Sequence, residues 1–320
     1  MAENQIVPKK KRSFWATVKM QRALIVMSVP LLLYQIVFRY VPIYGWAIAF
    51  KNYKPGRSTM WEAPWVGFDN FRKLFTGLIG ERFGRAIVNT LGQSLLTLLL
   101  STILAIMLSL LLNEVRNVPL KRIIQNITYM PHFLSWIIVT GIIATALSFP
   151  QSGGFINQIL LSFHIIKEPI MFLAKPSYFW GIAAGSHIWK ELGWNTILYM
   201  AAITSIDPTL YEAAEIDGAG RYRKMFNVTL PSIRPTIVIL LIINVGYILQ
   251  SAGFEVPYFL GNGPNITRAE TIDVFVLKYG YQLGNYSMAI VAGMFRTTVS
   301  VVIVAAANFV ARRLGQESLI

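Results

Sequence analysis

Long apolar runs alternate with short polar intervals along this chain, and each run has the length of a bilayer crossing, about 20 residues. The first extends from Ala23 to Phe50, with kinks expected at Pro30 and Pro42. A second covers residues 86–113, a third covers residues 123–148 with a break at Pro131, and a fourth runs from Tyr178 to Thr204. The fifth spans residues 235–260 and the sixth residues 287–311. The pattern predicts an all-α, polytopic helical membrane protein with six transmembrane helices.

The intervals have characters of their own. Residues 1–22 carry Lys9-Lys10-Lys11-Arg12. A signal peptide also begins with a basic region, but the apolar run from Ala23 continues to Phe38 with no small-residue cleavage site behind it. The expectation is an uncleaved first span (23–50) with its N-terminal segment inside. Residues 51–84 are polar and aromatic, with Trp61 and Trp65 where a water interface would hold them. Phe68, Phe71, Phe75 and Leu78 recur at helical spacing opposite Arg72 and Lys73, which predicts a helix lying on the membrane surface. Residues 85–311 form a five-helix core, in which Gly153-Gly154, Pro169 and Pro176 mark one outer connection and Gly261-Asn262-Gly263-Pro264 another. Arg312-Arg313 open a short inside tail, 312–320.

Inside the core lies a polar island, residues 205–234. Asp207-Pro208 predicts a helix start, because Asp accepts from free first-turn N–H groups and Pro loses no bond at the first helical position. Gly218 and Gly220 supply the freedom for a bend after two turns, and Leu230-Pro231 is expected to stop the helix that follows. The predicted shape is helix, glycine elbow, short helix, stop. Glu212, Glu215 and Asp217 fall on the first helix, Arg221, Arg223 and Lys224 on the second, and Ala213 and Ala214 keep the surface low enough for close docking.

Composition agrees with the pattern. Hydrophobic residues make up 54% of the chain and charged residues 14%, and the mean hydropathy is +0.51, which excludes an ordinary soluble domain. With no cysteine there is no disulfide framework, thiolate metal site or Cys nucleophile. The net charge of +14 fits cytoplasmic Lys and Arg better than nucleic-acid binding. Segments assigned inside hold more basic residues than those outside, but the excess is small.

Charged groups at mid-membrane normally face a partner helix or a water-filled path. In the fourth span His187, Lys190, Glu191 and Trp194 follow i, i+3, i+4, i+7, one helical stripe. They either line a polar cavity or pair with neighbouring helices. The fifth span offers a weaker stripe, Tyr247, Gln250, Ser251 and Phe254, with Glu255 adjacent; sugar contact and interhelical hydrogen bonding both suit it. Arg296 in the sixth span is either another cavity residue or a pairing partner for one of these glutamates.

Glu212-Ala-Ala, three residues, Gly218, nine residues and Val228-x-Leu230-Pro231 together resemble the EAA loop of permease subunits of ABC importers, with Val where that pattern usually has Ile. Tyr40-Val41-Pro42-Ile43-Tyr44-Gly45, Val66-Gly67-Phe68-Asp69-Asn70-Phe71, Glu270-Thr271-Ile272-Asp273 and the Asn308 to Leu319 ending resemble the polysaccharide-type subgroup of carbohydrate permeases. The resemblance implies a type I ABC importer permease fold in a bacterial cytoplasmic (inner) membrane, with both termini inside. It implies that Glu212, Ala213, Ala214, Asp217, Gly218, Leu230 and Pro231 form a cytoplasmic coupling segment seated in a separate ATPase. It places sugar contacts on the fourth-span stripe. The implied partners are a second, different permease (a heterodimer), two ATPase subunits, an extracytoplasmic solute-binding protein, an oligosaccharide and membrane lipid. This chain itself would bind no cofactor, ATP and Mg residing on the ATPase.

Lys190 and His187, beside a basic outer segment, would suit uronate carboxylates, so an acidic oligosaccharide such as one from pectin, alginate or xylan is the expected cargo. The alternative is that Glu191 or another acid neutralises Lys190. No Gly-x4-Gly-Lys-Ser/Thr occurs, so a nucleotide-hydrolysing site must come from another chain. The rival reading is an ion-coupled secondary sugar transporter, with Glu191 and Glu255 as its carboxylates, but no inverted repeat is evident. A membrane hydrolase finds little support, because His132, His164 and His187 are scattered without metal-ligand spacing.

Overall fold

The computed structural model describes residues 19–246 and 254–313. Among them the secondary structure is helical, apart from one isolated bridge between Lys51 and Trp65. Helix α1 (Arg22–Gln35) keeps Pro30 inside it, then passes through a π-helical turn, Ile36–Tyr40, into tighter 3-10 winding over Val41–Phe50. The winding therefore changes around Pro42 and not at Pro30. None of α1 is buried. So apolar a surface, bare on the isolated chain, belongs against lipid or another subunit.

The outer segment contains only a short helix, α2 (Asp69–Leu74). Asn70 fastens it to the end of the first span, its side-chain amide donating to the carbonyls of Ala49 and Lys51 at 2.8 and 2.9 Å. The expected aromatic stripe is divided: Phe71 packs inward, while Phe68, Phe75 and Leu78 are exposed.

Helix α3 (Gly77–Glu114) is a single 38-residue rod. Next, α4 (Val118–Tyr129) begins at Asn117, whose side chain accepts from the Leu120 N–H, and is followed by a 3-10 turn, Met130–Phe133. Helix α5 (Trp136–Ala146) then restarts at Ser135. The two limbs meet at 106° across Leu134-Ser135, so the third span is an elbow just after Pro131 and not a kinked rod. Short α6 (Phe155–Ser162) precedes α7 (Phe179–Thr204).

The polar island folds as α8 (Pro208–Ile216), α9 (Arg221–Lys224), a π-helical turn over Met225–Thr229, and α10 (Leu230–Ser232), leading to α11 (Arg234–Gly246). Pro231 does not stop the chain as expected. The π-helical turn admits it into continuing helix, and a 56° bend follows. Beyond α11, α12 (Glu255–Leu260), α13 (Ile266–Ala269), α14 (Ile272–Leu277) and a π-helical turn at Lys278–Gln282 lead to α15 (Tyr286–Arg313).

Among the described residues, three stretches are long and apolar enough to cross a membrane, namely Arg22–Phe50, α3 and α15, and the two bent pairs raise this to five. Helix α7, at 26 residues, is long enough to be the sixth, its polar stripe lowering its hydropathy. Its close fit against α3 depends on Gly92, where any side chain would collide with the Trp180 ring. Gly193 in turn lets the α4 backbone lie directly on α7 at Thr128.

Two apolar clusters sit at the end of the bundle far from α8, one around Phe83, Phe275 and Val291 and one around Phe179, Val256 and Leu260. A third, around Leu110, Ile203, Met225 and Ile233, lies beneath the α8 elbow. The connection that begins with the expected outer turn, Gly261-Asn262-Gly263-Pro264, folds back against the bundle over 261–271. Asn89 donates to the carbonyls of Thr267 and Glu270, and Gln93 and Trp180 donate to that of Arg268. These interior polar groups take up backbone carbonyls that a folded-back loop could not otherwise satisfy.

Candidate functional site

Helix α7 divides its polar stripe between two tasks. Lys190, only 5% exposed, turns towards the α4–α5 elbow, where its ammonium donates to the His132 carbonyl at 2.6 Å and lies 3.1 Å from a Glu191 oxygen. The elbow breaks the helix and strands that carbonyl; Lys190 supplies the missing donor. The other Glu191 oxygen lies 2.7 Å from His132 Nδ1. Trp194 stacks on the His132 ring at 4.5 Å and 6°, with Tyr129 parallel to it on the same side chain, while Trp136 lies beneath the Lys190 ammonium at 5.3 Å. This is a closed ion and ring network, the arrangement that makes charges tolerable in a low-dielectric interior.

Glu191 and His187 also line a polar cavity of about 190 Å³ between α3, α7 and α11, together with Thr97, Ser101, Thr102, Asn195 and Asn244. A second lobe of about 200 Å³ shares Ser101, Thr102, Asn195 and Asn244 and adds Trp194 and Tyr199. Hydroxyl and carboxamide groups of this kind exchange hydrogen bonds in both directions, as sugar hydroxyls require. Asn195 donates to Ser101 at 3.2 Å, and His187 Nδ1 is buried with no partner among the described residues.

Of the predicted contacts, the structure brings His187, Glu191 and Trp194 to the cavity. It places Lys190 among protein partners instead, so the pairing alternative holds and Lys190 offers no free charge to a carboxylate. Phe254 stacks on Tyr258 at 4.8 Å and does not line these lobes. Tyr247, Gln250 and Ser251 lie outside the described residues. Arg296 pairs with Asp273 of α14, an aspartate and not one of the glutamates.

Sequence reading missed the α3 contribution. Asn89, Gln93, Thr97 and Ser101 repeat at i+4, a buried polar stripe within an otherwise apolar helix. Glu270 was also missed. It is buried and held by Arg82 through two 2.6 Å bonds, with Lys278 at 3.7 Å.

At the opposite end stands the α8 elbow. Asp207 accepts from the Thr209 N–H at 2.9 Å, which holds its carboxyl below the usual value. Gly218 has φ +73°; the Ala219 N–H reaches the Ala214 carbonyl at 2.8 Å and the Gly218 N–H reaches that of Glu215 at 3.0 Å. These two bonds make a Schellman close, and its left-handed position explains the glycine. Tyr211 and Thr229 hydroxyls meet at 2.9 Å. Arg221 bonds both the side chain and the carbonyl of Glu114, each at 2.9 Å, tying the elbow to the end of α3.

Glu212, Ala213, Asp217, Gly218 and Pro231 are exposed, Ala214 is half-buried, and Leu230 packs into the apolar cluster beneath. Around Glu212 the surface is unusually apolar for a polar segment: Ile216 is 88% exposed, and Leu210, Tyr222 and Phe226 are also exposed. An exposed apolar surface of this kind suits contact with a protein or a membrane.

A profile of the family described as binding-protein-dependent transport system inner membrane component matches residues 98–316. Protein LplB of Bacillus subtilis (strain 168) is 39% identical over 307 residues, 96% of this chain and 94% of that protein. From the same organism, the polygalacturonan/rhamnogalacturonan transport system permease protein YteP is 38% identical over 320 residues, 99% of this chain and 97% of that one. Among solved structures, a chain of a bacterial ABC transporter involved in the import of the acidic polysaccharide alginate superposes with a TM-score of 0.84 at 39% identity, covering 93% of this chain and 98% of that chain. A chain of the bacterial alginate ABC transporter in complex with an alginate pentasaccharide-bound periplasmic protein gives a TM-score of 0.86 at 38% identity, covering 96% and 100%.

Proposed function

Because this chain belongs to the binding-protein-dependent transport system inner membrane component family, as a type I permease subunit of an ABC sugar or polysaccharide importer, we propose that it moves an oligosaccharide by alternating access driven through α8. The observation that carries this reading is a rigid connection. Helix α3 lines the cavity with Thr97 and Ser101 and ends at Glu114, where Arg221 of the elbow grips it. Helix α7 lines the same cavity and runs directly into α8. A displacement of the elbow is thereby delivered to both cavity walls.

In this reading two ATPase subunits receive Glu212 and its apolar surroundings, a second, different permease completes the pathway, and an extracytoplasmic binding protein delivers sugar to the far end. Both termini and α8 then face the cytoplasm, and nucleotide chemistry stays on the partner chains. An ion-coupled mechanism gains nothing from the geometry, since Glu191 is already engaged by Lys190 and His132.

The cargo we favour is an acidic, uronate-containing oligosaccharide, supported by what LplB's neighbour in similarity, YteP, and the alginate transporters are named for. Within this chain its carboxylates would meet His187 and neutral donors and not Lys190. The test is ATPase stimulation in proteoliposomes of the full complex, comparing a uronate oligomer with a neutral one of equal length. Preference for the neutral oligomer would end the acidic reading. Glu212→Lys should abolish sugar-stimulated turnover while the permease pair stays folded, and unchanged turnover would remove α8 from the coupling role.

A further inference from the structure

We propose that the side of α7 turned away from the polar cavity holds an acyl chain of a phospholipid from the leaflet opposite α8, with the lipid phosphate at Lys175. Ile182, Gly185 and Trp189 follow Tyr178 at helical spacing and form one stripe. His187, Glu191 and Asn195 lie on the opposite side of the same helix, since a two-residue step turns it through about 200°. The stripe faces a cavity of about 320 Å³ walled also by Ile142 and Ala146 of α5 and Phe155 of α6. The one hydroxyl in its wall, on Ser186, already donates to the Ile182 carbonyl at 2.6 Å. Apart from that hydroxyl and the Trp189 indole N–H, the lining is apolar.

Length and charge point to a lipid. From Tyr178 to Trp189 the helix rises roughly 16 Å, about half of the ~30 Å hydrocarbon core, so a chain entering beside Tyr178 would end near mid-membrane. The Lys175 ammonium lies 5.8 Å from the Tyr178 ring centroid, a cation at headgroup height directly above the apolar stripe. Trp189, Ile138 and Ile142 are exposed, so the cavity opens sideways. A second permease joined across the polar cavity would stand on the other side of α7. The site requires only that the chain spans a bilayer and stands independently of the sugar assignment.

The test uses the full complex in vesicles containing phosphatidylglycerol with a photoactivatable group at mid-chain, with adducts mapped by mass spectrometry. Adducts are expected on Ile142, Gly185 or Trp189. A Cβ at Gly185 meets open space, so Gly185→Leu should project its side chain into the cavity and lower those adducts at least fivefold, leaving adducts on α1 unchanged. Lys175→Glu should lower them about threefold for phosphatidylglycerol and by less for phosphatidylcholine, whose phosphate is offset by its own choline cation. An unchanged phosphatidylglycerol yield removes the phosphate from Lys175 and overturns that part of the proposal. The proposal is overturned by the absence of adducts there in the wild-type complex, which decides the matter even if Gly185→Leu fails to assemble. An unchanged yield in Gly185→Leu overturns it too. So does efficient disulfide capture, under an added thiol oxidant, between Ile142→Cys and a cysteine introduced on the second permease, a clean readout on this side because the chain has no native cysteine.

Discussion

The Lys190 ammonium donates to the backbone carbonyl of His132 at 2.6 Å. One buried side chain thus closes the gap left where the third span breaks, and at the same time balances Glu191 beside the cavity.

Removing it should be costly. Lys190→Ala leaves a carboxylate and a carbonyl without their cation in a low-dielectric site, a loss of about 3–5 kcal/mol. Thermal unfolding of the purified permease should show a lower midpoint, whereas Lys190→Arg keeps much of the stability. Preference between uronate and neutral oligomers should not change in the Arg variant; a lost preference would mean that Lys190 reads substrate charge after all.

Gly193→Ala tests the crossing of α4 on α7. Its methyl would overlap the Thr128 carbonyl, and forcing backbones apart in a packed interior costs about 1–3 kcal/mol. Gly181→Ala, with open space around the new carbon, serves as the control and should unfold at or slightly above the parent midpoint, since alanine favours helix over glycine. Equal midpoints for both variants would contradict the packing described.

The Arg82–Glu270 pair pins the folded-back segment at the far end. A double-mutant cycle with Arg82→Gln and Glu270→Gln should give a coupling of about 1–3 kcal/mol, nearer the lower bound because Arg82 is 33% exposed. Limited proteolysis between Asn262 and Thr271 should accelerate in either single variant. A coupling near zero would make the pair incidental.

The cap of α8 has a definite pH sign. The Thr209 N–H depresses the Asp207 carboxyl below its ordinary 3.8, so the stabilisation is fully present above that unfolded-state value. It is lost only as pH falls through the lower folded-state value. Amide exchange at Thr209 and Leu210 should stay slow down to mildly acidic pH. Asp207→Asn should cap with no acid-side loss, and Asp207→Ala should exchange faster at every pH.

The form of the polar island was legible because its residues encode local geometry. Asp207-Pro208 begins a helix and Gly218 ends one wherever they stand, so the elbow was legible residue by residue. The i+4 polar repeat in α3 was equally legible, yet the surrounding leucines masked it. Lys190 was ambiguous for another reason: its partner is 58 positions away.

Sequence by itself determined the membrane class, the places where most spans run and the helix–elbow form of the polar island, since hydropathy, caps and turns are properties of neighbouring residues. Only the tertiary structure decided that the third span is bent, that segment 261–271 enters the bundle, that Arg296 answers Asp273, and that Glu191 faces the cavity while Lys190 beside it does not. The physical reason is that a buried polar group must find its partner wherever the fold brings one, and distance along the chain carries no record of that choice.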